Sequence, residues 1–134
     1  MEVYKSKYYE LHFFPETEIL ETIALPTTER MTAGEFQQDC LNQVEIMLKY
    51  RPKKNLYDTR NMYFPVTPDL QDWLNETIFP VLIQIELTIS AIVMSQEMIS
   101  QLSIEQTMNE PEPAKIMTQY FDNKETAHQW LLSI

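Results

Sequence analysis

Apolar and polar residues alternate with a period of two at the start of the chain. Over residues 3 to 14, Val3, Tyr9, Leu11 and Phe13 share one parity while Tyr4, Tyr8 and Phe14 share the other, which is the pattern of a β-strand. After Pro-Glu-Thr-Glu the alternation resumes, with Leu20, Thr22 and Ala24 set against Ile19, Ile23 and Leu25. The short connection predicts an antiparallel hairpin. The period then changes to that of a helix. Thr32 and Glu35 form a capping-box pattern, Phe36, Cys40, Leu41, Val44, Met47 and Leu48 make an apolar stripe, and Pro52 ends it.

From there strands and helices alternate. The pattern predicts a strand near 54 to 59, a helix from Pro68 to about Ile85, a strand near 87 to 94 and a helix near 96 to 109. A strand near 115 to 121 and a helix from 123 follow. Pro80 falls inside the second helix, yet Leu70, Trp73, Leu74, Ile78, Val81, Leu82 and Ile85 keep helical spacing across it, which predicts a kink. Helices between successive strands imply right-handed crossovers. The expected fold is therefore a single α/β domain over residues 1 to 134, of order ββαβαβαβα. Its central sheet is mostly parallel, with helices on both faces.

Composition narrows the function. At 134 residues, 44% of them hydrophobic, the chain is large enough for one well-filled core. Its net charge of −10 argues against a phosphate backbone or an anionic membrane surface as partner, so no nucleic acid is expected. The most apolar stretch, residues 78 to 94, contains Pro80, Gln84 and Glu86 and reads as a helix end followed by a strand, so no membrane span is expected. The first residues are charged throughout and lack the apolar core of a signal peptide, which points to the cytoplasm.

Catalytic chemistry finds little to stand on. Gly34 is the only glycine, so neither a phosphate-cradling loop nor a dinucleotide-binding turn can be written on the chain. Cys40 is the only cysteine and sits in an apolar stripe, where a thiol acts as a small hydrophobe. His12 and His128 lie at opposite ends of the chain with no metal-binding spacing, and no metal or other cofactor is expected. A binding role is favoured over an enzyme because no nucleophile–base pair can be assembled.

The candidate site is the stretch LYDTRNMYFPVTPDLQDWL, residues 56 to 74. Asp58, Thr59 and Arg60 fall at the C-terminal end of a predicted strand, where parallel sheets bind their ligands. Asp58 and Arg60 are either a local ion pair with an Asx turn or a partner contact. Thr67, Pro68 and Asp69 suit the N-cap and first turn of a helix, while the Thr67 hydroxyl is also a candidate regulated group. A second candidate is apolar. Met94, Met98, Leu102 and Met108 surround the helix predicted over 96 to 109 and either fill the core or line a site for a small apolar ligand. The aromatic surplus of the first hairpin, Tyr4, Tyr8, Tyr9, Phe13 and Phe14, suggests a homodimer surface.

The element order, the strand ending in Tyr-Asp-Thr-Arg, the proline-containing loop and the late segment YFDNKETAHQWL together resemble the small STAS-like proteins. These are related in fold to the bacterial anti-sigma-factor antagonists, and the resemblance is to the branch described as STAS or SEC14-like. Nearly the whole chain is covered. In the antagonists the loop after this strand carries Asp-Ser-Ser/Thr-Gly with a phosphorylated hydroxyl. Here Pro65, Val66, Thr67 and Pro68 stand in that place, with the hydroxyl at Thr67 and no glycine. Phe121, Asp122, Glu125, Ala127, Trp130 and Leu131 match the ending of the branch. The resemblance implies a regulatory module that binds a protein partner. Its SEC14-like side implies an apolar ligand beneath a movable helix.

Overall fold

The structure, a computed structural model, describes residues 1–98 and 116–134. Six strands form one sheet in which spatial order follows chain order. They are β1 (Glu2–Lys5), β2 (Tyr9–Phe14), β3 (Ile19–Ala24), β4 (Lys54–Asp58), β5 (Ile89–Val93) and β6 (Met117–Phe121). The first three pair antiparallel, and β3 to β6 pair parallel. The α/β class and the largely parallel sheet are as expected. The single strand expected over 3 to 14 is instead two. Ser6 Oγ accepts the N–H groups of Tyr8 and Tyr9 at 3.1 Å each, and the Ser6 N–H donates to the Tyr9 carbonyl at 2.9 Å. This serine turn offers the backbone a local alternative to the ladder, and the chain folds back between Lys5 and Tyr9.

Helices cover both faces. On one face, α1 (Ala33–Tyr50) and the helical segment made of α2 (Pro68–Trp73) and α3 (Phe79–Gln84) supply Phe36, Met47 and Leu70 to a core with Tyr9, Leu11, Phe13 and Leu20. On the other, the C-terminal helix α4 (Lys124–Leu132) presses Ala127 and Leu131 onto Ile19, Leu56, Ala91 and Val93. Burying a leucine such as Leu131 completely contributes about 1.5–3 kcal/mol. The hairpin aromatics go the same way. Tyr8, Tyr9 and Phe13 are buried in the chain's own core, and Phe14 is left exposed, so the surplus read as a dimer surface is mostly consumed internally.

The buried face of α1 is rotated from the stripe expected. Leu41 and Leu48 are each 42% exposed, while Phe36, Asp39, Gln43 and Met47 are buried. A polar network overrides apolar periodicity here. Asp39 accepts hydrogen bonds from Tyr4 Oη at 2.9 Å, Ser6 Oγ at 2.6 Å and Gln43 Nε2 at 3.1 Å, which anchors α1 to the β1–β2 turn. A buried carboxylate is tolerated when donors surround it. The capping box at Thr32 and Glu35 forms as expected.

The kink expected at Pro80 takes the form of a π-helical turn. Between α2 and α3 the residues Leu74–Ile78 are π-helical, and the Phe79 N–H reaches back to the Leu74 carbonyl. In an α-helix Pro80 would leave the Glu76 carbonyl without a donor and collide with it; widening one turn relieves the clash. With one glycine available, three turns are made by residues in the left-handed region: Glu18, Arg51 and Glu86, at φ of 58°, 48° and 63°. Among the described residues, no helix is long and apolar enough to cross a membrane.

Candidate functional site

Asp58 ends β4 at the C-terminal edge of the parallel strands. Its Oδ1 accepts the Arg60 backbone N–H at 3.2 Å and Arg60 Nε at 2.9 Å, and its Oδ2 accepts Arg60 Nη2 at 2.7 Å. The pair is therefore both an Asx turn and a two-pronged ion pair. Lys124, at the start of α4, stands 3.5 Å from Asp58 and 2.7 Å from Glu21. Charges alternate along the row Glu21, Lys124, Asp58, Arg60. Burial works to raise the Asp58 carboxyl, but the side-chain and backbone hydrogen bonds from Arg60, with the charges of Arg60 and Lys124, hold it below its ordinary value.

Glu21 and Lys124 were not singled out from the sequence. Glu21 shares a parity with Ile19 and Ile23, and only the β3–β4 register, which sets Glu21 beside Leu56 and Ile23 beside Asp58, shows that it faces α4.

Thr59 is occupied structurally. Its N–H and its Oγ1 both donate to the Val93 carbonyl, at 2.8 Å each, tying the loop after β4 to β5. That loop is braced along its length. The Met62 N–H donates to the Thr59 carbonyl at 3.0 Å. Thr28, fully buried in the 3-10 turn Pro26–Arg30, donates from Oγ1 toward the Asn61 carbonyl at 3.0 Å and accepts the Tyr63 N–H at 2.9 Å. The Phe64 ring stacks on Phe36 with centroids 5.1 Å apart. Held from below in this way, the loop presents Tyr63 and Val66 to solvent, 54% and 40% exposed.

Thr67 caps α2, accepting the Leu70 N–H at 3.4 Å, with Pro68 and exposed Asp69 in the first turn. Asp58, Thr59 and Arg60 are thus brought together. Thr67 and Asp69 stand at the far end of the same loop, and share no hydrogen bond or ion pair with the first three among the described residues.

The apolar candidates divide. Met94 is buried beyond β5, where its N–H donates to the Phe121 carbonyl at 2.9 Å, and Met98 is partly exposed. Leu102 and Met108, with most of the helix expected over 96 to 109, lie outside the described residues. On the α4 face, a cleft of about 880 Å³ is lined by Phe14, Pro15, Ile19, Leu56, Lys124 and His128. His128 is half-buried on this wall. Cys40 packs against the core, and burial followed by the nearby Asp39 charge pushes its thiol up to about 12. A protonated thiol is no nucleophile at neutral pH.

Comparisons of the chain with known protein families, with curated proteins and with solved structures found no match.

Proposed function

We propose that the protein is a non-catalytic interaction module of STAS-like type, and that it binds a protein partner through the loop that follows β4. The observation that carries this reading is the braced loop itself. Thr59, Thr28 and the Phe64–Phe36 stack hold its backbone, while Tyr63 and Val66, on the same loop as Arg60, are exposed to solvent. A rigid loop loses little entropy on association, and tyrosine and arginine are the side chains that most often anchor an interface. Asp69 lies at the loop's end, and the chain's net charge of −10 favours a partner with a basic surface. In the resemblance to the STAS-like antagonists, the Thr67 hydroxyl corresponds to their phosphorylated residue. As a helix cap it is poised at an N-terminus that stabilises an added phosphate, with Asp69 and Asp72 opposing it.

Site-specific photocrosslinking tests the reading. A photoreactive phenylalanine placed at Tyr63 is expected to trap one defined polypeptide, and the same probe at exposed Gln38 on α1 is expected to trap none. Equal labelling from both positions would remove the loop as the contact surface.

A second reading, the carriage of a small apolar molecule, is favoured by the cleft beside α4. Its volume of about 880 Å³ falls in the range that holds drug-sized ligands, and Phe14, Pro15, Ile19 and Leu56 supply an apolar wall. This cleft lies against α4, whereas most of the helix expected over 96 to 109 is outside the described residues. A Phe14→Asp change, at an exposed wall residue, is expected to abolish uptake of a fluorescent apolar probe, and uptake that survives it would count against this reading.

A further inference from the structure

We propose that Glu2, Glu10 and His12 form a binding site for a divalent transition-metal ion of the zinc class on the open face of the β1–β2 hairpin. The argument begins with register. Glu10 and His12 are two residues apart in β2 and so project from one face of the sheet, and the β1–β2 pairing sets Glu2 directly opposite His12. Three side chains from two hydrogen-bonded strands therefore converge without any loop to position them. One ligand atom from each, an imidazole nitrogen and two carboxylate oxygens, all lie within 4.8 Å of one another.

The spacing suits a metal. An ion held tetrahedrally by bonds of about 2.0–2.2 Å keeps its donor atoms about 3.4 Å apart. The His12 Nε2 and Glu10 Oε1 already stand at 3.4 Å, long for a hydrogen bond. Small rotations of Glu2, the most exposed of the three, complete the set. A mixed nitrogen and oxygen donor set selects zinc-class ions over magnesium and calcium, which take oxygen ligands alone.

Charge points the same way. On the same sheet face, Glu21 and Asp58 are neutralised by Lys124 and Arg60. Glu2 and Glu10, among the described residues, have no lysine or arginine within ion-pair distance, and Glu10 has only His12. A bound dication would supply the missing positive charge and would cross-link β1 to β2. Because its ligands come from cross-strand pairing, such a site leaves no metal-binding spacing in the sequence.

With two histidines in the chain, the test is direct. Metal-free protein is titrated with Zn²⁺ by calorimetry, while the two imidazole C–H resonances are followed by NMR. One ion per chain is expected, with the His12 resonance shifting and the His128 resonance unmoved. Binding is expected to disappear in His12→Ala and persist in His128→Ala. It is expected to weaken about tenfold or more in Glu10→Gln or Glu2→Gln, at least what losing an outer-shell partner costs. Circular dichroism confirms that each variant folds; if His12→Ala does not, the wild-type NMR shifts and the glutamate variants decide. The absence of one-to-one binding, a shift at His128 instead, or unchanged affinity in His12→Ala would overturn the proposal.

Discussion

Replacing Thr28 by valine isolates the brace beneath the candidate loop. The side chain is fully buried, and valine preserves its shape while removing the hydroxyl. That hydroxyl accepts the Tyr63 N–H at 2.9 Å and directs its proton between the Leu25 and Asn61 carbonyls, at 2.8 and 3.0 Å. A hydrogen bond contributes about 1 kcal/mol net, and a polar group left buried without a partner adds about 1–3 kcal/mol. With one bond given and one accepted, and the Tyr63 N–H stranded unless water reaches it, the expected loss is about 2–4 kcal/mol. Urea unfolding measures this as a lowered midpoint at unchanged slope, and hydrogen exchange should show the Tyr63 amide losing protection. Thr27→Val is the control, since Thr27 is exposed and its hydroxyl, among the described residues, bonds only to the Lys7 carbonyl; it should lose about 1 kcal/mol or less. A loss below about 0.5 kcal/mol for Thr28→Val, with Tyr63 still protected, would show that the loop is not braced by this residue.

The carboxyl of Asp58 is held below its ordinary value, so its contribution to stability is present above the usual carboxylate pKa of about 3.9 and is lost as pH falls through the lower folded-state value. Acid unfolding of Asp58→Asn should therefore show a shallower dependence in that window; an identical acid limb would contradict the assignment. Arg51 caps α1 in the left-handed region at φ 48°, where glycine carries no steric penalty, so Arg51→Gly should raise stability by about 0.5–1 kcal/mol in urea unfolding. Lys49→Gly, inside the same helix, should lower it by about 1 kcal/mol. The Cys40 thiol, pushed up to about 12, should resist a thiol-specific disulfide reagent at about pH 8 in the native protein and react once urea is added. Rapid stoichiometric labelling of the folded chain would refute its packing against the core.

The parts of the fold that local chemistry controls were legible in the sequence. Thr32 with Glu35, Thr67 with Pro68, and Asp58 with Arg60 each act over a few residues, and each forms as its spacing implies. What could not be read depends on partners far along the chain. Apolar periodicity placed Leu41 and Leu48 inward, because nothing local reveals that Tyr4 and Ser6 would come to Asp39 and turn α1 toward them. The split of residues 3 to 14 hinged on one serine that captures two backbone N–H groups. At the site, Lys124 reaches Glu21 and Asp58 only through the stacking of α4 on the sheet, and the Thr28 brace joins residues distant in sequence. Proline at Pro80 announced a distortion, but a proline in helical spacing does not by itself say whether the distortion is a bend or a π-helical turn.

The measurement that bears most directly on the proposed function is native mass spectrometry of the gently purified chain beside a Tyr63→Ala, Val66→Ser double variant. Both residues are exposed, so the double change should leave the fold intact. A defined protein partner bound to the wild type and absent from the variant is the predicted result. Wild type that appears only as the bare chain, or a complex that survives the double change, would contradict the assignment of this loop as the contact surface.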